Sequence, residues 1–283
     1  MKITIIGAGH MGGTAARSFS TSSLFTPGDI TVTAHSQATL DTFAGTGIHS
    51  CLDNREAIKG ADVIILAVRP NTVEKVCMEI APAIDFANQI IISFVAGVPS
   101  SKYQEWFGAA STGSDTCECA SNEACGCTGT NANESPILFL AMPNTAMELN
   151  GGLTFIAPIS ATPIQISLVK AIFDSVGKSL IIDEKMMNSG MALASCGVAY
   201  AMKYILASVD GGTDLGFDRD DAIKVVLQTV KGAAMLVAAH GTNPEEEIAK
   251  IAPPGGYTIK GLQVMEGSDF TDIVRNALDV SSR

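Results

Sequence analysis

A strand that runs straight into a glycine-spaced turn and then a helix constrains this chain more than any other feature. Ile3-Thr4-Ile5-Ile6 reads as a buried strand, followed at once by Gly7-Ala8-Gly9-His10-Met11-Gly12-Gly13 and a helical pattern from Met11 to Phe19. The spacing Gly-x-Gly-x-x-Gly is weak on its own, but a strand before it and a helix after it are the context in which it cradles a diphosphate. Gly7 permits the tight turn and Gly9 lets the backbone approach a pyrophosphate. The helix start, with Ala8, His10, Met11 and Gly12 around it, offers amide donors and the positive end of a dipole. The segment therefore predicts dinucleotide binding.

The next residues repeat the theme. Ile30 to Val32, Ala61 to Val68 and Gln89 to Phe94 are short apolar runs separated by helical patterns, and Pro136 to Met142 and Leu153 to Ile156 extend the series. Such alternation predicts an α/β fold, a Rossmann-type domain over residues 1–157. An insertion at about 111–134, rich in Gly, Ser, Thr, Asn and Cys, interrupts it and reads as a surface loop. It holds Cys117, Cys119, Cys125 and Cys127 as two Cys-x-Cys pairs. Zinc, disulfides or a reduced mobile loop are the readings open there, and no metal is assigned to the chemistry. Cys51, Cys77 and Cys196 stand singly in apolar patterns and read as core.

From residue 158 the pattern becomes helical, which predicts a second, mainly α-helical domain over 158–283. Thr162-Pro163 caps a helix to about Val176, a short strand spans Lys178 to Ile182, and long helices cover Glu184 to Asp210 and Arg219 to His240. On the last of these, Ala222, Val225, Val226, Thr229, Ala233, Leu236 and Val237 mark one apolar face and Ile223, Leu227, Val230 and Ala234 another. A helix apolar over that much of its circumference needs several neighbours. We expect a homodimer interface there, or a larger homo-oligomer built from dimers.

Bulk properties narrow the partners. A formal net charge of −11 over 283 residues excludes a phosphate-backbone binder, because nucleic-acid affinity rests on clustered cations. The uninterrupted apolar runs fall short of the ~18 to 20 residues of a spanning helix, and the first strand begins almost at Met1. The expectation is a cytoplasmic protein without a membrane or nucleic-acid partner.

The second strand ends in Thr33-Ala34-His35-Ser36. An acidic residue there commonly binds the adenosine ribose of NAD. With Ala34 in its place, and His35 and Ser36 able to donate to a 2′-phosphate, NADPH is expected over NADH.

Further motifs identify a resemblance. Ala67-Val68-Arg69-Pro70-Asn71, Ser93-Phe94-Val95-Ala96-Gly97-Val98, Met142-Pro143-Asn144-Thr145 and Pro254-Gly255-Gly256-Tyr257-Thr258-Ile259 occur in that order, and the chain resembles the pyrroline-5-carboxylate reductases over all but the insertion. The resemblance implies hydride transfer from NADPH, or NADH, to a small anionic cyclic imine, yielding L-proline. It assigns the cofactor to Gly7–Gly12, Ala34–Ser36, Asn54, Ala67–Pro70 and Phe94–Gly97. Catalysis falls to Thr258, whose hydroxyl would hold the imine nitrogen, and substrate binding to Glu184 and to Pro254, Gly255, Gly256 and Tyr257. Consecutive amides around the two glycines would curl into a nest for the carboxylate, and Glu184 would face the cationic nitrogen. Asn54 also reads as the cap of a helix over Arg55 to Lys59.

Several residues depart from the family pattern: Leu140, the segment Ala194-Ser195-Cys196-Gly197-Val198, Ala252, Pro253 and Tyr257. Pro253 lacks both a hydroxyl and an amide donor. The alternatives are a reductase of another cyclic imine or carbonyl acid, and a non-catalytic NADPH-binding regulator. A 3-hydroxyacid dehydrogenase is disfavoured because Ala201 stands where its lysine belongs, and Lys203 reads as an exposed helix residue.

Overall fold

A computed structural model describes residues 1–111, 136–241 and 243–283. The four Cys-x-Cys cysteines lie outside the described residues. Contacts divide the chain into two compact units, Met1–Gly190 and Met191–Arg283.

The first unit alternates strands and helices: β1 (Ile3–Ile6), α1 (His10–Ser20), β2 (Ile30–Thr33), α2 (Gln37–Asp41), β3 (His49–Cys51), α3 (Asn54–Ala57), β4 (Val63–Leu66), α4 (Pro70–Ile80), β5 (Ile90–Ser93) and α5 (Ser100–Ser111). After the insertion come β6 (Ile137–Met142), β7 (Gly152–Ser160), α6 (Pro163–Asp174) and β8 (Gly177–Ile181), then a 3-10 turn at Glu184–Met186 and α7 (Met187–Gly190). All eight strands form one sheet in the order β3-β2-β1-β4-β5-β6-β7-β8. β1 through β6 are mutually parallel, β7 runs antiparallel to β6, and β8 runs parallel to β7.

Parallel strands covered on both faces require continuous apolar runs. Val63-Ile64-Ile65-Leu66 and Ile90-Ile91-Ile92 supply them, each residue at most 4% exposed. Phe19 and Phe94 pack against Phe173 of α6, so the helix after β7 belongs to this core. The boundary expected at residue 157/158 is thereby corrected. It falls inside β7, whose register with β6 and β8 keeps residues 158–181 in the sheet. α6 begins as its sequence requires: Thr162 accepts from the Gln165 amide in a full capping box, with Pro163 at the first position.

The second unit is helical. A stretch of π-helix, Met191–Cys196, continues into α8 (Gly197–Asp214), followed by α9 (Arg219–His240), α10 (Pro244–Ile251), α11 (Tyr257–Gly267) and α12 (Phe270–Ser282). The expected uniform helix from Glu184 is thus 3-10, α, π and α in turn. α8 and α9 meet closely where Gly212 leaves room for Ala222; a Cβ at Gly212 would lie 3.3 Å from that side chain. Tyr200 of α8 reaches α12, with its hydroxyl 2.6 Å from that of Ser281. Lys203 is exposed, as its pattern implied. Of the isolated cysteines only Cys77 is buried, Cys51 and Cys196 being half-buried; burial pushes the Cys77 thiol up to about 12.

By length and composition, Glu184–Asp214 and Arg219–Ala239 are sufficient to cross a membrane. On α9, Val225, Leu227, Met235 and Leu236 are 48–58% exposed, so within one chain the apolar faces remain largely uncovered.

Candidate functional site

In parallel sheets ligands bind beyond the carboxyl ends of the strands, where the strand order reverses. Here β1 lies between β2 and β4, and the expected cofactor residues follow β1, β2, β4 and β5. The Gly7 and Ala8 amides donate to the Thr33 carbonyl at 3.1 and 2.7 Å, the Ala67 amide to Ile6, and the Phe94 amide to Leu66. Backbone bonds thus gather Gly7–Gly12, Ala34–Ser36, Ala67–Pro70 and Phe94–Gly97 at one end of the sheet.

The glycines there have distinct tasks. Gly7 has φ +103°, and a Cβ on it would lie 2.6 Å from the Ala67 carbonyl oxygen; at Gly12 a Cβ would lie 2.0 Å from the carbonyl oxygen of Gly7. Both permit close packing. At Gly9 a Cβ would meet nothing within 4 Å, and Gly9 caps α1 with no side-chain hydrogen bond. No side-chain cap occupies the start of α1 and the space beside Gly9 is free, which fits a diphosphate. Met11 is half-buried and His10 exposed.

Ala34 is half-buried and His35 and Ser36 are exposed. Ser36 also caps α2, accepting from the Thr39 amide at 3.3 Å. Asn54 is not the cap of its helix: Asp53 accepts from the Arg55 and Glu56 amides instead. This frees the Asn54 side chain to accept from the Thr33 hydroxyl at 2.6 Å and to donate to Glu79 at 3.1 Å. It is thereby fixed beside the end of β2. Arg69 is exposed before Pro70, which opens α4, and Val68 packs within 3.0 Å of the Cβ position on Gly7.

Next to this end of the sheet is a cleft of ≈ 220 Å³ walled by Val95, Ala96 and Gly97 on one side, Leu140 and Met142 on another, and Glu184 and Asn188. The pairing of Glu184 differs from the expected one. Its carboxylate oxygens accept from the Ser100 amide at 2.7 Å and the Ser100 hydroxyl at 2.6 Å. A carboxylate at a helix N-terminus is favourably placed, and Pro99 ahead of Ser100 has no side-chain acceptor of its own. Sequence reading also missed Ser93 and Tyr103. The Ser93 hydroxyl accepts from the Val95 amide at 3.1 Å and lies 2.6 Å from the buried Tyr103 hydroxyl. Burial, the larger effect, pushes the Tyr103 phenol upward against the opposing Ser93 bond. A serine ending an all-isoleucine strand was the available signal.

In the second unit, the Gly256 amide donates to Pro253 at 3.0 Å and Gly255 has φ +79°, a turn with Pro254 and Gly255 at its corners. The expected nest of consecutive amides is corrected accordingly. The Gly256 amide is used within the turn, and Tyr257 and Thr258 already belong to α11. Gly256 supplies no side-chain cap, so the first-turn amides of α11 remain open. Thr258 is exposed. Ala252 is buried at the end of α10, and Tyr257 is 92% exposed with the Lys260 ammonium 5.6 Å from its ring centre.

Comparison with known proteins gives this arrangement a family. Residues 184–283 match the family described as pyrroline-5-carboxylate reductase dimerisation, and residues 2–97 match NADP oxidoreductase, coenzyme F420-dependent. The chain is 30% identical over 233 residues to the pyrroline-5-carboxylate reductase of Synechocystis, covering 82% of this chain and 76% of that one. It is 27% identical to pyrroline-5-carboxylate reductase 1 of Dictyostelium discoideum, over 99% of this chain but only 48% of that longer protein. The crystal structure of Plasmodium falciparum pyrroline carboxylate reductase with NADP bound shares the fold, with a TM-score of 0.82 and 24% identity over 100% of this chain and 95% of that one. A glycine turn at the switch point, a helical second unit and a relative of this similarity lead to one assignment: the chain belongs to the pyrroline-5-carboxylate reductase family.

Proposed function

We propose that this chain reduces 1-pyrroline-5-carboxylate to L-proline with NADPH, the last step of proline biosynthesis, as a cytoplasmic homodimer. The observation that carries the reading is the uncapped start of α1, where Gly9 leaves open space beside the carboxyl ends of β1 and β4. When bound, the dihydronicotinamide supplies a hydride to the imine carbon, the ring nitrogen keeps or gains a proton, and the C=N bond becomes CH–NH.

The chain's own residues bind and orient. The Gly7–Gly12 backbone receives the diphosphate, Ala34–Ser36 with Asn54 receive the adenosine end, and Ala67–Pro70 and Phe94–Gly97 hold the remainder. In the second unit, the Pro254-Gly255-Gly256 turn and Tyr257 direct the open amides of α11 at the substrate carboxylate. The Thr258 hydroxyl is assigned to the ring nitrogen. The exposed apolar side chains of α8 and α9 favour burial against a second copy over solitary exposure.

A second reading, reduction of a different cyclic imino acid, is favoured by the bulk of Tyr257 and the Lys260 cation above its ring. One assay separates the two: oxidation of NADPH and of NADH followed with 1-pyrroline-5-carboxylate and with its six-membered homologue. The proposal expects turnover of the five-membered imine with NADPH preferred. Turnover of the homologue alone would move the assignment to the second reading.

A further inference from the structure

We propose that Glu184 is a positioning residue: a remote cap that sets α5 and, through it, the Phe94–Gly97 loop. It does not serve as a counter-ion to the substrate nitrogen. The inference rests on the cofactor role given to that loop above.

The contacts form a closed path. Glu184 receives both the amide and the hydroxyl of Ser100, at the first residue of α5. One turn on, the same helix carries Tyr103, buried, with its hydroxyl 2.6 Å from that of Ser93 at the end of β5. Ser93 in turn accepts from the Val95 amide inside the loop. Residues 94–99 are therefore fixed at one end by Ser93 and at the other by the capped Ser100. Pro99 cannot cap α5, so without Glu184 the Ser100 amide loses its acceptor and the helix start loses an anion. Glu184 comes 84 positions after Ser100 in sequence, so the cap also ties the loop to the segment that follows β8. Each carboxylate oxygen takes one bond from Ser100, so Glu184 already has a holding task within the chain before any ligand arrives.

The two roles separate experimentally. Glu184→Gln keeps an oxygen for the Ser100 amide while losing the charge, Glu184→Ala removes the cap, and Ser100→Ala removes only the hydroxyl. For a positioning residue, Glu184→Ala weakens NADPH binding by about tenfold, the size of a lost cap, with Glu184→Gln and Ser100→Ala each in between. Combining Ser100→Ala with Glu184→Ala adds little to the latter alone. Hydrogen exchange of residues 94–104, measured without any ligand, speeds up in Glu184→Ala and is partly restored in Glu184→Gln. A counter-ion behaves otherwise: Gln and Ala lower kcat equally, NADPH affinity stays at the wild-type value, and Ser100→Ala has no effect. That pattern, or unchanged exchange in Glu184→Ala, overturns the proposal. If Glu184→Ala does not fold, Glu184→Gln and Ser100→Ala carry the same comparison. Exchange and NADPH titration need no imine, so a wrong substrate assignment would appear separately, as NADPH binding without turnover.

Discussion

Two small residues at the end of the sheet act through the atoms they lack. Gly9 keeps the approach to α1 clear, and Ala34, half-buried just after β2, brings no charge to the end of that strand. Ala34→Asp would place a carboxylate where it repels a 2′-phosphate and accepts from ribose hydroxyls. The ratio of kcat/KM for NADPH over NADH should then fall by at least tenfold, equivalent to about 1.4 kcal/mol; an unmoved ratio would detach this segment from cofactor choice. Thr258 makes the complementary case, a hydroxyl that is present and exposed. Thr258→Ala should lower kcat by about one to two decades, the value of roughly 1.5 to 3 kcal/mol for a hydrogen bond to a developing charge, with NADPH affinity unaltered. Equal kcat in the two proteins would remove Thr258 from the chemistry.

Among the elements, the junction of α6 and β8 shows how one carboxylate joins a helix to an edge strand. Asp174, the last residue of α6, accepts from the amide and hydroxyl of Ser179 at 2.8 and 2.7 Å and pairs with Lys170. Partial burial raises its pKa, but the bonds from Lys170 and Ser179 and the Lys170 charge outweigh it, leaving the group below its ordinary 3.8. A depressed folded-state value means that the contribution is complete above the unfolded value and is lost as pH falls through the folded one. Asp174→Asn should therefore lower the unfolding midpoint at neutral pH and flatten its decline below about pH 4. Parallel midpoint curves for the two proteins from neutral to acid pH would refute the linkage. Elements of this kind were legible to different degrees. The isoleucine-rich β1, β4 and β5 and the capped α6 announced themselves, because burial on both faces and capping chemistry act within a few residues. β3 was missed: His49-Ser50-Cys51 is short, largely exposed and paired at the sheet edge with β2. α12 was missed too. The Gly7 turn could be read as a site, yet the Ser93–Tyr103 and Glu184–Ser100 pairs could not, since such contacts depend on how distant elements pack rather than on local pattern.

Considered as a whole, the molecule carries much of its unmet apolar surface on the helices of the second unit, where Met202, Leu206, Leu227 and Leu236 are 44–61% exposed. Covering such half-exposed side chains is worth about 1 kcal/mol each, roughly half the value of full burial, and the match of residues 184–283 to a dimerisation family fits further copies of the chain as the cover. Leu227→Glu should convert the assembly to smaller species in sedimentation while leaving the NADPH-binding unit folded; an unchanged sedimentation coefficient would exclude this face of α9 from the interface. There is also a consequence in mass action. A fold completed by its own copy has no fixed melting temperature, because unfolding also dissociates it. Each tenfold dilution should cost about 1.4 kcal/mol per mole of dimer and move the midpoint downward. A midpoint independent of concentration would mean that the helices stand without a partner. Otherwise the abundance of this protein in a cell helps to decide how much of it stays folded.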